Sequence, residues 1–82
     1  MVHVSNEDRH VLLAVDSLTA EMSPLLPTKA EVATRVTKSY STTMHHLRRL
    51  RELGAVEWND RIPRSLRIAD RRQVNAAKRQ GA

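Results

Sequence analysis

Cysteine and phenylalanine are absent from this 82-residue sequence, glycine occurs twice, and tryptophan and tyrosine once each. Without cysteine there is no disulfide scaffold, no thiolate zinc finger and no cysteine nucleophile. Two aromatic residues leave the core to Leu, Val, Ile and Met. No apolar run approaches the ~20 residues of a membrane-spanning helix, and no signal-peptide pattern opens the sequence, so a cytoplasmic setting is expected. A chain this short buries only about 60% of the surface it exposes unfolded. That leaves little room for a deep catalytic cleft or a nucleotide-binding sheet. No nucleophile, base and orienting partner can be assembled either, because Asp16, Glu21 and Glu31 fall on predicted outer faces. No enzyme activity, cofactor or small-molecule ligand is expected.

What is present is positive charge, unevenly placed. The formal net charge is +5. Residues 1–34 carry two bases and five acids, a net of −3, whereas residues 35–82 carry twelve bases and four acids, a net of +8. Eleven of the fourteen bases are arginine, the cation suited to bidentate contact with phosphate and with guanine edges. Such an asymmetry points to a polyanionic partner.

Helical periodicity organises the first two thirds of the chain. Val11, Leu12, Val15, Leu18 and Met22 recur at helical spacing, which predicts a helix from about Asn6 to Met22 with Ser5 as its cap and Asp8 in the capping-box position. Pro24 and Pro27 end it, and Leu25 and Leu26 between them are expected to fold back on the core. Thr28 and Glu31 form a capping box that opens a short second helix, closing by about residue 37. Ser39 to Thr43 is a second cluster of cap formers. A third helix is expected from Tyr40 or Thr42 to Leu53, with Gly54 beyond its end. Its inner stripe is Thr43, Leu47, Leu50 and Gly54; Ser41, His45, Arg48 and Glu52 lie opposite.

After Gly54 the period changes to two. Ala55–Trp58 and Ser65–Ile68 alternate apolar with polar, and residues 59–64 supply turn formers, which predicts two antiparallel strands joined by a basic loop. Residues 71–82 are polar and basic, a tail or short helix outside a domain of residues 1–70. No repeat or low-complexity tract is present.

This element order is that of a winged helix-turn-helix: mainly α, three helices plus a two-stranded wing. A major groove about 12 Å wide admits one helix, whose N-terminal residues reach base edges. Ser39, Tyr40, Ser41, Thr42 and His45 are short or polar groups at that end, and Arg48, Arg49 and Arg51 can reach phosphates beyond them. The turn before this helix lacks the glycine of the strict helix-turn-helix. His45 and His46 point about 100° apart, and His3 and His10 lie on distant segments, so no metal site is expected. One imidazole is expected to face DNA and the other to pack near the wing. Trp58 reads as a packing residue rather than a base-stacking one.

Two stretches make the resemblance specific. Leu26 to Val36, LPTKAEVATRV, looks like the second helix of LexA-like repressors. Ser41 to Val56, STTMHHLRRLRELGAV, is similar to the recognition helix and first wing strand shared by LexA-like and MarR-like regulators. The resemblance covers residues 5–69 and implies a double-stranded DNA partner, base or backbone contacts from Ser41, Thr42, Met44, His45 and Arg48, and a wing touching the minor groove or phosphates. The serine–lysine self-cleaving domain of LexA-like repressors has no counterpart here, so self-cleavage does not carry over. The full set of expected DNA-contacting residues adds Thr28, Lys38, Ser39, Tyr40, Arg49, Arg51, Arg61 and Arg64. The expected function is transcriptional repression by a nucleoid-associated homodimer, formed through the first helix or the tail. The alternative is an accessory or protein-binding module in phage or plasmid replication, recombination or excision.

Overall fold

Four helices and one hairpin follow in the order α1 (Asn6–Met22), α2 (Lys29–Val36), α3 (Tyr40–Glu52), β1 (Val56–Glu57), β2 (Arg67–Ile68) and α4 (Arg71–Gln80). The computed structural model describes residues 4–80; the lead-in at residues 1–3, which includes His3, and the last two residues of the expected tail lie outside the described residues. The fold is mainly α with a two-stranded antiparallel sheet, compatible with a small winged-helix-like arrangement.

The Ser5 hydroxyl caps α1 by accepting the Asp8 N–H at 3.2 Å. Val11, Leu12, Val15 and Leu18 are buried and face α2, α3 and α4, so α1 is the central rod of the core. Beyond it, Pro27 is buried, but Leu25 is 56% exposed. The expectation that both leucines turn inward therefore fails at Leu25.

The capping box of α2 is complete: the Glu31 N–H donates to Thr28 Oγ1 at 3.1 Å, and the Thr28 N–H donates to Glu31 Oε1 at 2.7 Å. Its C-terminus explains the missing glycine. Thr37 takes the left-handed conformation, φ 54° and ψ 43°, and its N–H bonds back to the carbonyls of Ala33 and Thr34. A β-branched residue is strained there. Thr37→Gly is expected to raise stability by about 0.5–1 kcal/mol, since relief of the αL strain outweighs the looser unfolded chain. Chemical denaturation of the two proteins measures it.

Ser39 caps α3, and Gly54 at φ 75° turns the chain from α3 into β1. The hairpin pairs Val56 with Ile68 and Glu57 with Arg67. It is shorter than the sequence predicts, and side chains explain why. The Asn59 N–H donates to Ser65 Oγ, which itself donates towards the Asn59 and Ile62 carbonyls, so a hydroxyl takes over what would be the next ladder rungs.

Of the two forms expected after residue 70, tail or short helix, the chain takes the short helix, and that helix is not set apart from the rest of the fold. Residues 71–80 form α4, and Val74 and Ala77 are fully buried against α1. Arg71 Nη1 and Lys78 Nζ bind the two oxygens of Asp16 at 2.7 and 3.3 Å. The segment belongs to the same core as residues 4–70. Two apolar residues three positions apart suffice because α1 offers them a ready groove. Among the described residues no helix is long and apolar enough to cross a membrane.

Candidate nucleic-acid interface

Helix α3 has two unlike sides. Thr43, Met44, Leu47 and Leu50 are buried, and Ser41, Thr42, His45, Arg48, Arg49 and Glu52 are exposed. The outer stripe of Ser41, His45, Arg48 and Glu52 is thus the one its periodicity predicts. Met44 is not part of it. At 9% exposure Met44 packs in the core with Leu47 and Leu50, and this corrects its assignment as a DNA contact. Its position, three residues before Leu47 and six before Leu50, puts it on the apolar stripe.

The N-terminal turn of α3 is built from hydroxyls. Ser39 Oγ accepts the Thr42 N–H at 3.1 Å and donates to Thr42 Oγ1 at 2.9 Å. Both groups therefore hold the helix start in shape, while Ser41 and His45 face solvent and Tyr40 is 54% exposed. Thr28 is likewise occupied in the α2 capping box.

Tertiary contacts redistribute the charge. The chain's two unequal parts neutralise each other across the fold: Asp8 binds Arg49, Asp16 binds Arg71 and Lys78, Glu21 binds Arg35, and Glu31 binds Arg64. The −3 and +8 segments are therefore not two faces of the molecule. Six bases lack an ion pair among the described residues: Arg9, Lys29, Lys38, Arg48, Arg61 and Arg79. Lys38 precedes α3, Arg48 lies on it, and Arg61 is in the hairpin loop; Lys29 sits over the Trp58 ring at 5.2 Å.

The three arginines of α3 have separate environments. Arg49 Nε is 3.1 Å from Asp8 Oδ2. Arg51 stacks on Trp58 at 4.2 Å, donates to the Trp58 carbonyl at 3.4 Å and lies 4.0 Å from Asp60. Among the described residues Arg48 has no ionic partner, and Glu52, four residues on, is not paired with it. Trp58 is buried, its indole N–H donating to Asp60 Oδ1 at 2.6 Å, which fits the packing reading.

Two histidines side by side serve different ends. His45 is exposed, whereas His46 Nδ1 lies 2.7 Å from Asp8 Oδ1. His46 thus packs on the start of α1, not near the wing as expected from sequence. Asp8 is 1% exposed and holds both His46 and Arg49. It fixes α3 against α1, a part the sequence disguised as capping chemistry. Among the described residues no group of three or more His, Asp or Glu side chains is placed to hold a metal ion.

The hairpin loop is tied down at one side. Arg64 Nη1 donates to the Leu26 carbonyl at 2.9 Å and to Glu31 Oε1 at 3.0 Å. Arg64 is thereby committed to the protein, and Arg61 is left exposed. The Thr28 N–H, followed by the Arg64 guanidinium, holds the Glu31 carboxyl below the usual carboxylate range. A group lowered in the folded state contributes stability above its unfolded pKa and loses it as pH falls through the folded one. Acidification through and below the carboxylate range is therefore expected to release the α2 cap and the Arg64 clasp together. Melting temperature against pH should show a smaller acid-side decline in Glu31→Gln than in the parent protein.

The sequence matches no protein-family model, and comparison with curated proteins returns no match.

Proposed function

We propose that this chain is a winged helix-turn-helix protein that binds double-stranded DNA and regulates transcription, as a repressor acting by occlusion. The single observation behind this reading is the outer side of α3. Ser41, His45 and Arg48 lie in one exposed stripe, and Arg48 has no anion of its own while neighbouring guanidiniums are tied to the protein. Short polar groups early in the helix suit base edges, and a cation further along suits a flanking phosphate. Lys38 before the helix and Arg61 in the loop add cations on the elements that flank it.

Occlusion at a regulated site calls for two copies on a two-fold sequence. The longest extent of the chain is 31 Å, which fits one copy per half-site at a spacing of about 34–36 Å. The outer residues of α4 are polar, since Val74 and Ala77 are spent on α1, so the pairing is read as assembled on DNA.

Selection from random-sequence duplexes tests the proposal. Enrichment of one short motif, with affinity falling steeply as salt rises, supports it. Binding without sequence preference favours the accessory reading. No retention of any duplex at low ionic strength removes both.

A further inference from the structure

The hairpin loop carries a feature that phosphate binding does not use. We propose that Ile62 is an apolar wedge that enters the DNA minor groove, partly unstacks a base step and bends the duplex, with Arg61 beside it as the groove cation. The inference rests on the DNA-binding reading above and names what the loop does there.

Three observations carry it. First, Ile62 is 52% exposed, a large aliphatic side chain displayed in a loop that is otherwise polar. Secondly, the loop is stiff. The Ile62 N–H donates to the Asn59 carbonyl at 3.0 Å, the Arg61 N–H donates to Asn59 Oδ1 at 2.9 Å, and Ser65 Oγ donates towards the Ile62 carbonyl at 2.8 Å. Pro63 locks its own φ and restricts the backbone of Ile62 before it, and Arg64 clamps the loop to Leu26 and Glu31. Thirdly, every other arginine of the hairpin is neutralised, Arg64 by Glu31 and Arg67 by Glu57, whereas Arg61 next to Ile62 has no ion pair among the described residues.

These features fit together energetically. Inserting a side chain between base pairs costs a few kcal/mol of unstacking, recovered from contacts made by the bent duplex. A loop that also had to be ordered on binding would add to that cost. This one is ordered beforehand, and its root is joined to α3 through Arg51, Trp58 and Asp60. An unneutralised guanidinium beside the apolar tip favours a groove lined by phosphates over an apolar protein surface.

The duplex enriched by the wild-type protein, labelled at its two ends for energy transfer, reads affinity and bend together. Ile62→Ala is expected to weaken binding about tenfold, as for an aliphatic side chain cut back at a buried site, and to straighten the duplex. Ile62→Leu should retain both. Because Ile62 is exposed, the folded state is expected to be unaffected, and the melting temperature checks this. If Ile62→Ala binds and bends DNA as the parent does, the wedge is wrong while the DNA reading stands. The same holds if the substitution instead abolishes self-association in the absence of DNA. If the parent protein retains no duplex, the reading beneath the wedge has failed.

Discussion

Asp8→Ala is expected to destabilise the fold by about 2–4 kcal/mol. In a domain of this size that corresponds to a fall in melting temperature of roughly 10–20 °C. The reason is geometric. Asp8 is 1% exposed, and its two oxygens lie 2.7 Å from His46 Nδ1 and 3.1 Å from Arg49 Nε. Removing the carboxylate strands a half-buried imidazole and a guanidinium, and leaves a hole between α1 and α3. The helix cap is not at issue, because Ser5 caps through the Asp8 backbone N–H, which alanine retains. Asp8→Asn keeps the volume and one acceptor, so it should recover part of the loss. An Asp8/His46 double-mutant cycle isolates the pair. A melting temperature unmoved by Asp8→Ala would show that this contact does not hold α3 in place.

Arg48→Ala should do the reverse, leaving stability within about 0.5 kcal/mol and weakening DNA binding by roughly tenfold to a hundredfold. Arg48 is exposed and makes no ion pair among the described residues, so the protein loses little without it. If the guanidinium meets a phosphate, the slope of log affinity against log salt should decrease by about one as well. Arg49→Ala is the informative control. Its guanidinium is shared with Asp8, so binding and stability should fall together. Equal affinity of Arg48→Ala and the parent at the same salt would take the outer stripe of α3 out of the interface.

How much of this was legible beforehand differs by element. The α2 capping box is local in sequence, and Thr28 and Glu31 stand in the structure as their spacing requires. The outer stripe of α3 was readable for the same reason, since 3.6-residue periodicity fixes which side chains share a side. Met44 follows the same periodicity into the core beside Leu47, although the resemblance to LexA-like repressors implies a DNA contact there. The α4 helix was undervalued because Val74 and Ala77 are too few to announce an amphipathic helix, and only the groove on α1 makes them enough. Thr37 in the left-handed region was invisible, because its residue type argues against the conformation that it adopts.

Sequence by itself determined the first three helices, their N-terminal caps and the change of period after Gly54, all consequences of contacts within a few residues. The tertiary structure decided which charges remain unspent. Eleven arginines and three lysines are a property of composition, but Asp8, Asp16, Glu21 and Glu31 reach across the fold to neutralise bases far along the chain. Coulomb attraction depends on distance in space, and no reading along a chain supplies that distance.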